Sequence, residues 1–442
     1  MRSQYGDNRR MKTKVLVVAA LLAQSLAAAP LVPRVDAYLK PFVAYHTFSG
    51  VVLAAKGDHV LIEKGYGMAN AEFGVPNTPA TRFAIASITK RFTGIILQRL
   101  FDEKKLAPDD PLSKWVPDFP SADQITVTQL MNHRSGLRDP SKLRLIVRKN
   151  YSSAQVVELL KTEPIVSKPG EVYSYTTANY AILAHIIERV TGKTYAEVVK
   201  QYVYDPAKMS DSGELTTTSV VPRLASAYMP DPFGHGLSVC GPEDTSWKAG
   251  GGSSYSTARD LLRFSRALYD GTLLPKKVAA EMFAMSTAAG KKALSSSGSF
   301  PGASANVLYF PAEDVTVVVL SNNYASVPST ITEAVARMVF GEPVATPSVK
   351  LAPNPNDDDA RIAGKYAIPS RGWTFTISFH DGKPVVAWTE LRMSAMLRMS
   401  DDTWFEPLDW ATLQLKFDDA GKFVEGTFTI PGFGGAQKVE RL

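Results

Sequence analysis

The sequence predicts an α+β protein with a small all-β region at its C-terminal end. Three observations carry this. Apolar, strand-like runs stand near both ends of the first 341 residues, and helical patterns fill the space between them. After residue 357 the pattern is almost wholly short alternating strands. The expected architecture is one mainly antiparallel sheet built from N- and C-terminal strands, flanked by a mostly helical region. A barrel or sandwich follows it.

Each element can be justified in chain order. Arg9, Arg10, Lys12 and Lys14 precede the apolar run "VLVVAALLAQSLAAAP", which is short for a membrane span and ends in small residues. Residues 1–27 therefore read as a signal peptide cleaved after Ser25-Leu26-Ala27, with Met11 an alternative start to Met1. Export, to a periplasm or outside the cell, is the expectation, with no stable membrane span after cleavage. Removing this segment leaves 44 basic and 42 acidic residues, so the formal charge of +6 falls to +2. That balance holds no nucleic-acid-binding charge pattern.

"FSGVVLAAKGDHVLIEKGYGMAN" reads as two strands around a Gly57-Asp58 turn. "FAIASITKRFTGIILQRLF" follows as a helix with Phe92, Ile95, Ile96, Leu100 and Phe101 at helical spacing. "ANYAILAHIIERVTG" is a second apolar helix that Gly192 stops. "STARDLLRFSRALYDG" is a third, with Ser256 or Thr257 as its cap. "ANVLYFP" and "VTVVVLSNN" return to strand, and a helix carrying Ile331, Ala334, Val335 and Met338 closes the region at Gly341. These patterns divide the chain into a domain over 28–341, a Pro-rich linker over 342–357 and a β domain over 358–442. The single cysteine, Cys240, excludes an internal disulfide framework and any cysteine-cluster metal site.

The chemistry-bearing feature lies where the first helix opens. Ser87 and Lys90 are three residues apart and so share a helix face. A helix start also offers unpaired N–H groups and a positive dipole end. A serine there can expose its hydroxyl while its own N–H awaits an oxyanion. A lysine one turn on, in a dry site, can take the hydroxyl proton. Ser87-Ile88-Thr89-Lys90 is the one S-x-x-K in the chain. Read alone, the pair is equally a capping serine with a snorkelling lysine. No H-E-x-x-H or G-x-S-x-G occurs, so neither zinc chemistry nor an α/β-hydrolase triad is indicated. No cofactor and no metal are expected.

Five segments in order resolve the ambiguity: "FAIASITKRFTGIIL", "ITVTQLMNHRSGLRD", "PGEVYSYTTANYAILAHIIERVTG", "AGGGSSYSTARDLLRFSRAL" and "GSFPGASANVLYFPAEDVTVVVLSNN". Between about Phe48 and Gly341 the chain resembles the class C β-lactamase and penicillin-binding-protein-like serine hydrolases. That group includes DD-carboxypeptidases, D-aminopeptidases and β-lactamase-fold esterases. The resemblance implies a β-lactamase/transpeptidase-like fold, with Ser87 as nucleophile and Lys90 as its base. The family's Tyr-x-Asn motif falls on Tyr175-Thr176-Thr177, so Tyr175 is the implied proton shuttle and Thr177 stands where the family has asparagine. Tyr173 and Tyr180 are nearby competitors.

The family's Lys-x-Gly or His-x-Gly motif falls on Ser296-Ser297-Gly298. It keeps the glycine and loses the cation that helps hold a substrate carboxylate. Ser299 N–H is the implied second oxyanion donor beside Ser87 N–H. Lys248-Ala249-Gly250 and Lys168-Pro169-Gly170 match Lys-x-Gly by chance, and His133 reads as structural support. The expected activity is hydrolysis of an ester or amide of the D-amino-acid type through an acyl-enzyme, with poor β-lactamase activity. A true β-lactamase or DD-carboxypeptidase is the neighbouring reading. A non-catalytic relative that binds peptidoglycan fragments or a protein partner is the distant one. Oligomeric state is not legible.

Overall fold

The computed structural model describes residues 30–138, 150–216, 218–233, 236–241, 244–283, 285–325, 327–353, 359–389, 392–400, 402–430 and 435–442. The expected signal peptide lies outside these residues.

The terminal strands of the first region do share one sheet. Its six strands are β1 (Gly50–Lys56), β2 (His59–Tyr66), β3 (Ser286–Ala288), β4 (Lys291–Phe300), β5 (Ala303–Phe310) and β6 (Val315–Ser321), in the order β3-β4-β5-β6-β1-β2. All neighbours run antiparallel, with Gly50 opposite Ser321 and Lys56 opposite Val315 where the two ends of the region meet. Gly57, with φ 55°, makes the tight turn between β1 and β2.

β1 is buried along almost its whole length because both faces of the sheet are covered. Successive side chains point to opposite faces. Val51 and Leu53 therefore enter one core, and Val52 and Ala54 the other. The first core holds helices α2 (Thr89–Asp102), α3 (Ala178–Thr191) and α4 (Ala258–Asp270). Gly192 ends α3 in the left-handed conformation at φ 68°, and Thr257 is the cap of α4, accepting from Asp260 N–H at 3.2 Å. The second core holds α1 (Leu31–Ala44) and α5 (Val327–Val339), whose Ile331, Ala334, Val335 and Met338 are buried as their spacing predicts.

The tail forms a nine-stranded, nearly closed barrel-like sheet, with Arg392–Ala395 at one edge and Leu397–Ser400 at the other. Asp381-Gly382 turns between Trp373–His380 and Lys383–Thr389, with φ 49° and 74°. The tail has a core of its own around Tyr366, Phe375, Trp404 and Phe428. It also joins the second core of the first region. Trp410 stacks on Phe42 at 4.2 Å between centroids, and Tyr45 meets Phe405 at 5.3 Å. The described part of the linker is drawn in as well, with Val344, Val349 and Leu351 packed on that core.

Candidate active site

Ser87 sits in a 3-10 turn, Ala86–Ile88, that runs directly into α2. Ala86 takes a positive φ of 46° although it is not glycine, a strained conformation that the surrounding core holds in place. α2 is amphipathic, and its apolar face together with Ile88 anchors this turn through Phe92, Ile95 and Ile96 in the first core.

Lys90 is buried, and its Nζ donates to Ser87 Oγ at 3.1 Å and to the Gly251 carbonyl at 2.6 Å. Tyr175 Oη lies 2.8 Å from Ser87 Oγ. The three side chains expected to work together are thus on one hydroxyl. Of the competing tyrosines, Tyr180 donates to the Met131 carbonyl at 3.2 Å, and burial, then the neighbouring Tyr175, push its hydroxyl up to about 12. Tyr173 is largely exposed and meets the His133 ring edge-on. The His133 ring lies 4.4 Å from the Tyr175 ring, and its Nδ1 accepts from Thr176 N–H at 3.2 Å, so this histidine buttresses the Tyr175 segment.

β4 closes the other side. A Cβ placed on Gly298 would lie 2.2 Å from the Ile85 carbonyl oxygen and 2.6 Å from Ser87 N. The strand therefore touches the backbone of the Ser87 turn, and only glycine permits it. Gly298→Ala is expected to push strand and turn apart and lower kcat/KM by about 10²-fold, the usual cost of misplacing reacting groups by about 1 Å. Kinetics together with a thermal melt check this, and wild-type kcat/KM in the variant would refute it.

Ser87, Lys90, Tyr175, Ser296, Gly298 and Ser299 all line one cavity of about 900 Å³. Thr177 does not. It stands at the start of α3 with its methyl against Gly251, which leaves no room there for a Cβ. Three contributors had no recognised sequence signal. Asn132 places an exposed carboxamide in the cavity wall, and Arg91 lies in the wall next to Lys90. The Gly250-Gly251 backbone fixes α2, with the Gly250 carbonyl accepting from Thr93 Oγ1 at 2.6 Å. The triple glycine after Ala249 was the available clue, since Lys248 itself is stacked 4.3 Å from the Phe300 ring.

A serine at the head of a buried helix, with lysine and tyrosine on its hydroxyl and a strand on its amide, is an arrangement suited to acyl transfer. On this fold it defines the class of serine-nucleophile proteins with a central antiparallel sheet. The chain belongs to the Beta-lactamase family, whose model matches residues 35–340. It is 29% identical over 252 residues to the putative penicillin-binding protein PbpX of Bacillus subtilis, covering 57% of this chain and 61% of that one. It is 31% identical over 250 residues to the teichoic acid D-alanine hydrolase of Staphylococcus aureus, covering 56% of this chain and 60% of that one. The match therefore spans about three-fifths of the length of these curated relatives. The octameric penicillin-binding protein homologue from Pyrococcus abyssi shares the fold at a TM-score of 0.63 and 20% identity, covering 92% of this chain and 100% of that one. Among the described residues no helix is long and apolar enough to cross a membrane.

Proposed function

We propose that this chain is an exported serine hydrolase that forms an acyl-enzyme on Ser87 and cleaves esters or amides of the D-amino-acid type. The observation that carries the proposal is the convergence of Lys90 Nζ and Tyr175 Oη on Ser87 Oγ. Lys90 takes the hydroxyl proton as Oγ attacks the carbonyl carbon. The resulting oxyanion is held by Ser87 N–H and Ser299 N–H. Tyr175 relays the proton to the departing oxygen or nitrogen as the bond to the acyl group breaks. Water, deprotonated by the same pair, then releases the acid and restores the Ser87 hydroxyl. The D-amino-acid class draws support from the relative named as a D-alanine hydrolase. Export draws support from the basic flank and apolar run at the N-terminus.

Turnover of β-lactams is expected to be poor. Position 177 lacks the family's carboxamide, and position 296 lacks the strand cation, so two groups that place the family's substrates at the scissile bond are missing. A neutral p-nitrophenyl ester is expected to have a higher kcat/KM than nitrocefin, and Ser296→His is expected to narrow the gap. A panel of esters, D-aminoacyl amides and nitrocefin tests both statements. Nitrocefin as the better substrate by tenfold would overturn the expectation of poor β-lactam turnover. Absence of turnover on every substrate, with no covalent adduct, would overturn the hydrolase proposal in favour of a binding protein.

A further inference from the structure

The tail's barrel-like sheet carries a second large cavity, of about 500 Å³, at one end of its core. Phe375 and Ile377 of Trp373–His380 and Val386 of Lys383–Thr389 point into that core. Side chains alternate along a strand, so Trp373 and Trp388 stand on the same inward face, two residues further out, where the cavity opens. Trp388 packs on Phe375 and Phe428, with centroids 4.9 and 5.2 Å away. Trp373 meets Trp388 edge-on at 6.1 Å and stays 42% exposed. The Arg371 guanidinium lies 5.8 Å from the Trp373 centroid, a cation–π contact that steadies the ring. A tryptophan held on the inward face yet left open to a cavity offers a flat apolar surface to a ligand.

The rest of the described wall is mostly polar, and its charges balance. Arg392 and the buried Asp409 form an ion pair in it, and Thr374, Thr389, Thr330 and Tyr324 add hydroxyls. An apolar chain lying here would cover the ion pair and the hydroxyls without giving them partners. An anion would meet Asp409, and a cation would meet Arg392. A neutral, polyhydroxylated ring suits both parts of the wall. Its C–H groups lie on the electron-rich face of the indole, and its hydroxyls bond to the polar side.

A path bordered by hydroxyls leads from this cavity to Ser87. Thr330 borders the tail cavity and a small one of about 280 Å³. Ser295, Ser297 and Ser329 border the small cavity and the Ser87 cavity alike. The three hollows thus follow one another past the first turn of α5. Asn306 Nδ2 donates to Ser329 Oγ at 3.2 Å, and Glu333 beside the path pairs with Arg337 at 3.1 Å.

We propose that the Trp373–Trp388 cavity of the tail is a saccharide subsite: it holds the remote end of a neutral pyranose chain whose acylated end reaches Ser87 along the first turn of α5. The inference rests on the hydrolase reading of Ser87 and names its substrate class as D-aminoacyl esters carried on a neutral saccharide. Contacts this far from the scissile bond hold the substrate before and during the reaction alike, so they lower KM rather than raise kcat. A small neutral ester reacts without them.

The test has a binding arm and a kinetic arm, both on the full chain. Calorimetry compares cellohexaose with sorbitol, octanoate and glycerol phosphate. Cellohexaose is expected to bind about tenfold tighter than any of the three, and Trp373→Ala to weaken it by about tenfold or more, as loss of an anchoring aromatic does. Kinetics then compares the D-alanyl ester of cellohexaose with D-alanine methyl ester, reading released D-alanine. The saccharide ester is expected to have the lower KM by about tenfold, and Trp373→Ala to raise that KM while leaving the methyl ester unchanged. Trp373→Phe keeps a ring and is expected to lose part of the effect; if the alanine variant fails to fold in a thermal melt, the phenylalanine variant decides by the same ratio. Equal loss on both esters would mark Trp373 as a structural buttress and overturn the proposal. So would cellohexaose binding untouched by the substitution, tighter binding of sorbitol, octanoate or glycerol phosphate, or saccharide binding with no gain on the saccharide ester. Turnover of neither ester would overturn the hydrolase reading and this proposal with it, whereas turnover of the methyl ester with no saccharide effect would overturn this proposal alone.

Discussion

Replacing Ser87 with alanine is expected to abolish turnover while leaving the fold and its melting temperature unchanged. The side chain is small, stands in a 3-10 turn rather than in the core, and is half-buried at the cavity wall, so little packing is lost. Lys90→Ala and Tyr175→Phe are each expected to lower kcat by at least about 10²-fold, the usual contribution of a positioned acid or base. The two should differ in their side effects. Lys90 is buried and ties α2 to the Gly251 carbonyl, so its loss leaves that acceptor without its ammonium partner and is expected to cost stability as well. Tyr175 is 48% exposed, so Tyr175→Phe is expected to melt like the wild type. Steady-state kinetics with matched melts separates these effects. Undiminished turnover in the Ser87 variant would end the assignment of the site.

Ending the chain after Pro343 is expected to lower the melting temperature by roughly 10 °C or to give an insoluble protein. A separate, dispensable tail is what the Pro-rich linker and the change of pattern suggest, and the tail's own core around Tyr366 and Trp404 is consistent with independent folding. Trp410 and Phe405 argue against dispensability. They lie in one core with Val35, Tyr38, Leu39 and Phe42 of α1, and truncation would uncover that face of α1. Loss of one large buried aromatic costs about 3–5 kcal/mol. At about 2–4 °C per kcal/mol for a domain of this size, a single such loss reaches the stated shift. Trp410→Ala in the full chain is the milder control and should show part of the same loss. A truncated protein with the full-length melting temperature and normal covalent labelling would show that the docking is incidental.

Much of the fold was legible because its determinants are local and repetitive. β1 and β6 are apolar at nearly every position, as strands covered on both faces must be, and this marked them as partners despite some 260 intervening residues. Gly57-Asp58 and Asp381-Gly382 marked their turns by backbone chemistry alone. Ser87, Lys90, Tyr175 and Gly298 were legible through motif and order, while the contact of Gly298 with the Ser87 turn came only with the structure.

What escaped has no local signature. Ala86 gives no hint of a positive φ, because the strain is imposed by tertiary packing. Arg91 reads as an ordinary helix-face residue until β4 is laid beside it. Gly251 acts through a carbonyl, which every residue has. Thr177 was placed in the site by alignment to a motif, yet its methyl turns to Gly251 because the glycine leaves space there. The docking of Trp410 on Phe42 joins positions at opposite ends of the chain, and no periodicity links them.

The most direct test of the central claim is to map the adduct of a fluorophosphonate probe by mass spectrometry. One equivalent is expected to attach to the full-length protein, on the Ser87 hydroxyl within the peptide that contains Ile85–Lys90. Labelling is expected to be lost in Ser87→Ala and strongly slowed in Lys90→Ala. An adduct on another residue, or labelling that survives Ser87→Ala, would contradict the account.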